Sequence, residues 1–228
     1  MVANGETLSA RLQRNWNYFL AICPVVLVLA VPVFAAGSGL ERIGPIVGAT
    51  ADITQAVEEK GYRVTLDDGW SAEFWFARAL STAAKESAGA LFPALSNGEF
   101  VAVVSFPKGT TDYRGQAIPP GNYTLRYQYL PQDANHMGVS PNPDFLLAVP
   151  LDVDLDPDEP LPYKKLVSLS AKSTGTAHPA VIAMASSGAP ATVVKDEQGM
   201  TVMTVEVPSA TAGKTQTLGI VLKGQATQ

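Results

Sequence analysis

The sequence predicts an all-β fold, an antiparallel β-sandwich with one short helix, and three observations carry that prediction. Residues Tyr123 to Leu130 alternate: Tyr123, Leu125, Tyr127 and Tyr129 fall on one face and Thr124, Arg126 and Gln128 on the other. Such a strand belongs to an antiparallel sheet with one face packed on a core. Tyr62 to Asp67 alternates in the same way and ends in Asp67-Asp68-Gly69, a hairpin turn. From Ala180 onward, the apolar runs Ala180 to Ala185, Ala191 to Lys195, Met200 to Val207 and Thr217 to Lys223 are separated by short turn clusters, the spacing of a sandwich.

The chain opens with a polar segment carrying Arg11 and Arg14, then runs without a charge from Asn15 to Gly39 around the apolar stretch Phe19 to Phe34. Val33-Phe34-Ala35 before Ala36-Gly37 meets the small-residue requirement for cleavage. Residues 1–35 therefore read as a signal peptide and the protein as exported, to the periplasm or the extracellular space. The alternative is an uncleaved N-terminal membrane anchor; the apolar run reaches the lower limit for a span, although Pro24 and Pro32 interrupt it. Cys23, the only cysteine, lies in this segment behind Ile22, which is too large for a lipoprotein cleavage site. Without it the chain has no disulfide, thiolate metal site or cysteine nucleophile, and the exported fold relies on its core. About 190 residues are enough for one sandwich that buries roughly 70% of its unfolded-chain surface. The formal net charge is −5, and loss of Arg11, Arg14 and Glu6 with the segment makes the remainder one unit more acidic. An acidic chain without a basic run offers no electrostatic footprint for nucleic acid.

Residues 36–60 read as a small-residue-rich leader whose end, Asp52 to Lys60, makes a short helix or stays flexible, and residues 61–228 as a single sandwich domain. Trp70 to Ala79 is the return strand of the first hairpin, with Phe74 and Phe76 on one face and Glu73 and Trp75 on the other. Aromatic residues on both faces imply that something covers both sides; a stacking platform for sugar is the functional alternative. Ser81 to Asn97 reads as a loop with a helical turn, Glu99 to Phe106 as a buried strand of valines, and Lys108 to Gly115 as a polar surface hairpin. The hairpin lacks the Gly-Lys-Ser/Thr ending of a phosphate loop.

The stretch that organises the chain is Ile118 to Leu147: the turn Pro119-Pro120-Gly121-Asn122, a strand, a long polar loop and a second strand. The corner Ile118-Pro119-Pro120-Gly121-Asn122-Tyr123-Thr124-Leu125 resembles the Pro-Gly-x-Tyr-Thr-Leu corner of carboxypeptidase-regulatory-like and related immunoglobulin-like β-sandwiches. Read with Asn135-His136-Met137-Gly138-Val139-Ser140-Pro141 and Asp144-Phe145-Leu146-Leu147, the region from Gly61 to Met184 resembles an uncharacterised secreted bacterial β-sandwich family. The resemblance implies an immunoglobulin-like fold and an exported protein, and no catalytic residues. The loop from Pro131 to Pro143 is expected to be ordered, because its ends are held by the sheet and its polar side chains can satisfy loop backbone groups. His136 is then a structural bridge.

After Leu147 comes an acidic run, Asp152-Val153-Asp154-Leu155-Asp156-Pro157-Asp158-Glu159. Counted from Asp152 it places Pro157 where a calcium-binding EF-hand loop needs glycine and Tyr163 where that loop needs glutamate. The run reads as a solvated, proline-stiffened linker, with an irregular cation site as the alternative. Pro162 to Lys172 is the helix, with proline near its start and Gly175 just past its end.

His136 and His178 are the only side chains that titrate near neutral pH when unperturbed. Gly138-Val139-Ser140-Pro141-Asn142 matches the first half of a hydrolase nucleophile elbow but lacks its closing glycine. No acidic pair is singled out for glycoside hydrolysis. His136 beside Met137, with His178 elsewhere, offers soft copper ligands, although a blue-copper site is excluded for want of a cysteine. Trp70, Trp75, Tyr113 and Tyr129 are the aromatic candidates for a carbohydrate-binding face. The leading expectation is an exported, non-catalytic binding or structural module of the bacterial cell envelope or extracellular space. It needs no cofactor, takes an envelope protein or a glycan as partner, and has sheet edges or an aromatic face for self-association. The alternatives are a carbohydrate-binding module and a copper-binding or hydrolytic protein centred on His136.

Overall fold

The structure, a computed structural model, describes residues 39–82, 87–130 and 140–224. Their strands are β1 (Gly39–Ile43), β2 (Gly61–Thr65), β3 (Ser71–Phe76), β4 (Phe100–Phe106), β5 (Thr110–Thr111), β6 (Ala117–Ile118), β7 (Gly121–Tyr129), β8 (Asp144–Pro150), β9 (Ala180–Ala185), β10 (Thr192–Lys195), β11 (Thr201–Pro208) and β12 (Thr215–Lys223). The helices are α1 (Ala51–Ala56) and α2 (Tyr163–Thr174). The fold is all-β and antiparallel, as the alternation predicts. Ten strands form one sheet in the order β1-β2-β3-β4-β7-β8-β9-β12-β11-β10, and β5 and β6 form a separate hairpin.

The sheet turns back on itself, so Phe74, Val104 and Leu125 from its first half share a core with Met203, Val205 and Ile220 from its second. The two layers are hydrogen-bonded to each other through one short ladder between β9 and β12, Gly219 with Ala185 and Ile220 with Met184. β10 comes to lie beside β1, although no ladder joins them among the described residues. The result is nearly a barrel. Its interior is filled by side chains, and the segment between β3 and β4 helps to plug one end with Leu80, Phe92 and Leu95. Leu80 fixes that plug by donating its N–H to Pro208 O (2.8 Å) and accepting from Ala210 N (2.8 Å).

The stretch expected to be a leader contains β1 and α1. β1 pairs with β2 along its whole length, and Arg63 of β2 pairs with Glu41 (3.2 Å) and Glu73 (2.8 Å) of its two neighbours. The side chain of Thr50 caps α1 by accepting from Ile53 N, and the helix buries Ile53. α2 begins after Pro162 and ends at Gly175, whose φ of 64° is the left-handed conformation that closes a helix without a Cβ clash. It covers the outer face of β8 and β9. Ser170 and Ser173 donate to Ala148 O (2.7 and 2.9 Å), and Leu166 packs with Phe145, Leu147, Val149 and Val181.

The turn before β7 is tied to the strand that follows it. Tyr123 Oη donates to Pro119 O at 2.7 Å, which holds the Pro119-Pro120-Gly121-Asn122 turn against the start of the strand.

Candidate functional site

Both faces of β7 are buried, and Thr124, Arg126 and Gln128 on its polar face are covered. Over Thr124 and Arg126 the cover is the acidic run. All five N–H donors of Arg126 are engaged: Nε with Asp154 Oδ2 (2.8 Å), Nη1 with Gly98 O (3.1 Å) and Glu159 O (2.7 Å), and Nη2 with Asp154 Oδ1 (2.8 Å) and Asp156 O (2.6 Å). Asp154 also accepts from Thr124 Oγ1. The run is therefore not a solvated linker. A fully buried guanidinium needs a counter-charge and acceptors for every donor, and this segment supplies most of them.

Two further carboxylates are buried in the same manner. Asp144, at the start of β8, accepts from Tyr127 Oη (2.6 Å), Phe92 N (3.1 Å) and Leu91 N (2.9 Å), tying the plug to the sheet. Burial first, and the Asp144 carboxylate second, push the Tyr127 hydroxyl well above its ordinary pKa of 10.0. Asp112 accepts from the N–H groups of Arg114 (3.0 Å) and Gln116 (2.8 Å) and from their side chains, and it takes Val181 N at 3.4 Å. This folds the β5–β6 hairpin over β9, and the expected surface hairpin carries a buried acid at its base.

Beyond Ile220 and Met184 the strands β12 and β9 diverge. The wedge between them is lined by Val181, Ala183, Val221 and Lys223, and it is closed by Trp70, Phe106 and the hairpin residues Thr110 and Tyr113. It holds about 20 Å³, room for one water molecule. Trp70 Nε1 donates to Thr110 Oγ1 (3.3 Å), its ring leans on Phe106 with centroids 6.3 Å apart, and Lys223 Nζ lies 5.9 Å from the ring centroid. Lys223 is ion-paired with Asp68, and that bond, followed by the N–H of Trp70, holds the Asp68 carboxyl below its ordinary range.

Of the sequence-derived aromatic candidates, Trp70 and Tyr113 meet at this wedge. Trp75 points to the opposite face of β3 and donates to Gly44 O (2.9 Å) beneath the 44–47 segment. Tyr129 lies at the far end of β7, where its Oη donates to Ala88 O (2.9 Å). His178 is exposed between α2 and β9, its N–H donating to Thr176 Oγ1 at 3.0 Å. His136 and Met137, most of the Pro131 to Pro143 loop, and the residues 1–35 assigned to a signal peptide lie outside the described residues. Among the described residues no group of three or more His, Cys, Asp or Glu is disposed to hold a metal ion, and no helix is long and apolar enough to cross a membrane.

Sequence reasoning missed Arg126 and its partners. Their signal was a charged residue in the middle of an apolar strand, followed later by clustered acids, and alternation alone assigns such a residue to solvent. Comparison of the chain with protein-family models, curated proteins and solved structures finds no match.

Proposed function

We propose that the chain is an exported, non-catalytic binding or structural module of the bacterial cell envelope or extracellular space. The observation that carries this reading is the use made of the buried ionisable groups. Asp112, Asp144, Asp154 and Arg126 each hold one segment to another through hydrogen bonds made in the interior, which is the chemistry of a rigid scaffold. Export follows from the charged start, apolar heart and small-residue end of residues 1–36. Fractionation of the native host should find the protein outside the cytoplasm with its N-terminus at Ala36 or Gly37. Recovery from the cytosol with Met1 intact would remove export from the reading.

A carbohydrate-binding module is the second reading, favoured by the half-buried rings of Trp70 and Tyr113 at the rim of the wedge with the hydroxyls of Thr110 and Thr111, where a sugar would stack outside a space that holds only water. A glycan array decides it: binding that disappears with Trp70→Ala supports it, and a blank array sets it aside.

A further inference from the structure

The acidic run contains one Asp-Pro peptide bond, between Asp156 and Pro157. The carbonyl oxygen of that bond accepts from Arg126 Nη2 at 2.6 Å, the shortest contact the guanidinium makes. Arg126 is wholly buried and its charge is balanced by Asp154, so what it offers this oxygen is a fixed N–H donor, held in place by that pair much as a donor is held in an oxyanion hole. Asp156 itself is exposed. Its Oδ1 is held by the N–H groups of Asp158 (3.0 Å) and Glu159 (3.2 Å), and its second carboxyl oxygen has no partner among the described residues. Pro157 lines an open cleft of about 520 Å³ together with Asp158, Glu99 and Arg78, so water reaches the far side of the bond. A nucleophile, a polarised carbonyl and a solvent-accessible leaving group thus share one peptide unit.

We propose that the chain cleaves itself between Asp156 and Pro157. The Asp156 carboxyl group attacks the carbonyl carbon of its own residue through its second oxygen and forms a five-membered cyclic anhydride, while Arg126 stabilises the negative charge that develops on the carbonyl oxygen. The C–N bond breaks as solvent delivers a proton to the proline nitrogen. Water then opens the anhydride. The net reaction is hydrolysis of one peptide bond, leaving Asp156 as a new C-terminus and Pro157 as a new secondary-amine N-terminus. The two pieces stay together, because the segment that follows contributes β9 to β12 to the same sheet.

The site contains its own control. Glu159 O also accepts from Arg126 (2.7 Å) and also precedes a proline, Pro160. Its carboxylate is turned to Lys165 (3.1 Å), and its longer side chain would have to close a six-membered ring. The bond between Glu159 and Pro160 should stay intact.

The test is intact-mass spectrometry of the purified full chain, folded or held unfolded in concentrated guanidinium chloride, during incubation at neutral and at mildly acidic pH. The folded chain should release a fragment beginning at Pro157, about 100-fold faster than the unfolded chain, which keeps the Asp-Pro bond but loses the Arg126 contact. Asp156→Ala should retain the circular dichroism of the parent and give no such fragment. The proposal is overturned if no fragment begins at Pro157, if folded and unfolded chains cleave at the same rate, or if cleavage before Pro160 keeps pace with it.

Discussion

Arg126 and Asp154 meet edge-on in the interior, with Nε to Oδ2 and Nη2 to Oδ1 both at 2.8 Å, and neither side chain reaches solvent. The pair joins the middle of β7 to a segment that sequence patterning assigns to water. Removing one partner leaves the other charge buried and unpaired, so Asp154→Ala should destabilise the fold by about 3–5 kcal/mol. Urea unfolding followed by tryptophan fluorescence measures this; a loss below about 1 kcal/mol would mean that the pair is as solvated as an exposed one.

Tyr127 and Asp144 make the second test. Tyr127→Phe removes a buried hydrogen bond to a carboxylate and should cost about 1.5–3 kcal/mol at neutral pH. The pH dependence has a definite sign. Tyrosine in the unfolded chain ionises near its ordinary pKa of 10.0, and the folded protein raises that of Tyr127. The folded state therefore favours the neutral hydroxyl, and its contribution is complete below about pH 10 and is lost as pH rises further. Burial raises the hydroxyl of Tyr123 in the same direction, so Tyr127→Phe should weaken the alkaline loss of stability without abolishing it. Denaturation curves collected between neutral pH and pH values above 10 compare the two proteins.

Gly219 tests the join between the layers. A Cβ at this position would stand 2.5 Å from Ala185 O and 3.0 Å from Ser186 O, both backbone atoms that cannot swing aside. Gly219→Ala should cost about 1–3 kcal/mol by overpacking. Gly44→Ala meets nothing within 4 Å and should stay within about 0.5 kcal/mol of the parent. Thermal melts of the two variants side by side check the contrast.

Most of the strands were legible because alternation is a local signal: β2 and β7 alternate in residue type, although β7 is buried on both faces, and α2 carries proline and glycine at its ends. β1 was not legible. Its five residues bury no continuous face, and it forms because β2 offers a full edge and Arg63 a counter-charge for Glu41. The burial of Arg126 was hidden for a related reason: its partner Asp154 lies 28 residues further on, among acids that are mostly exposed. At the candidate site, Trp70 and Tyr113 could be named from the sequence, but their meeting depends on Asp112 folding a hairpin over β9. No spacing rule announces a contact of that range.

The order of the sheet also sets an order in time. From β1 to β9 the strands of the main sheet stand beside one another in chain order, so each can dock on its predecessor by closing a local loop, whose entropic cost grows slowly with length. The step from β9 to β12 is different, since Ala185 must find Gly219 across β10 and β11. A chain threading out of a narrow exit could assemble its first half strand by strand, while the second half would wait for a three-stranded unit of β10, β11 and β12 to close against the edge already built. Refolding from denaturant should then be paced by that single late encounter rather than by the growth of the larger half.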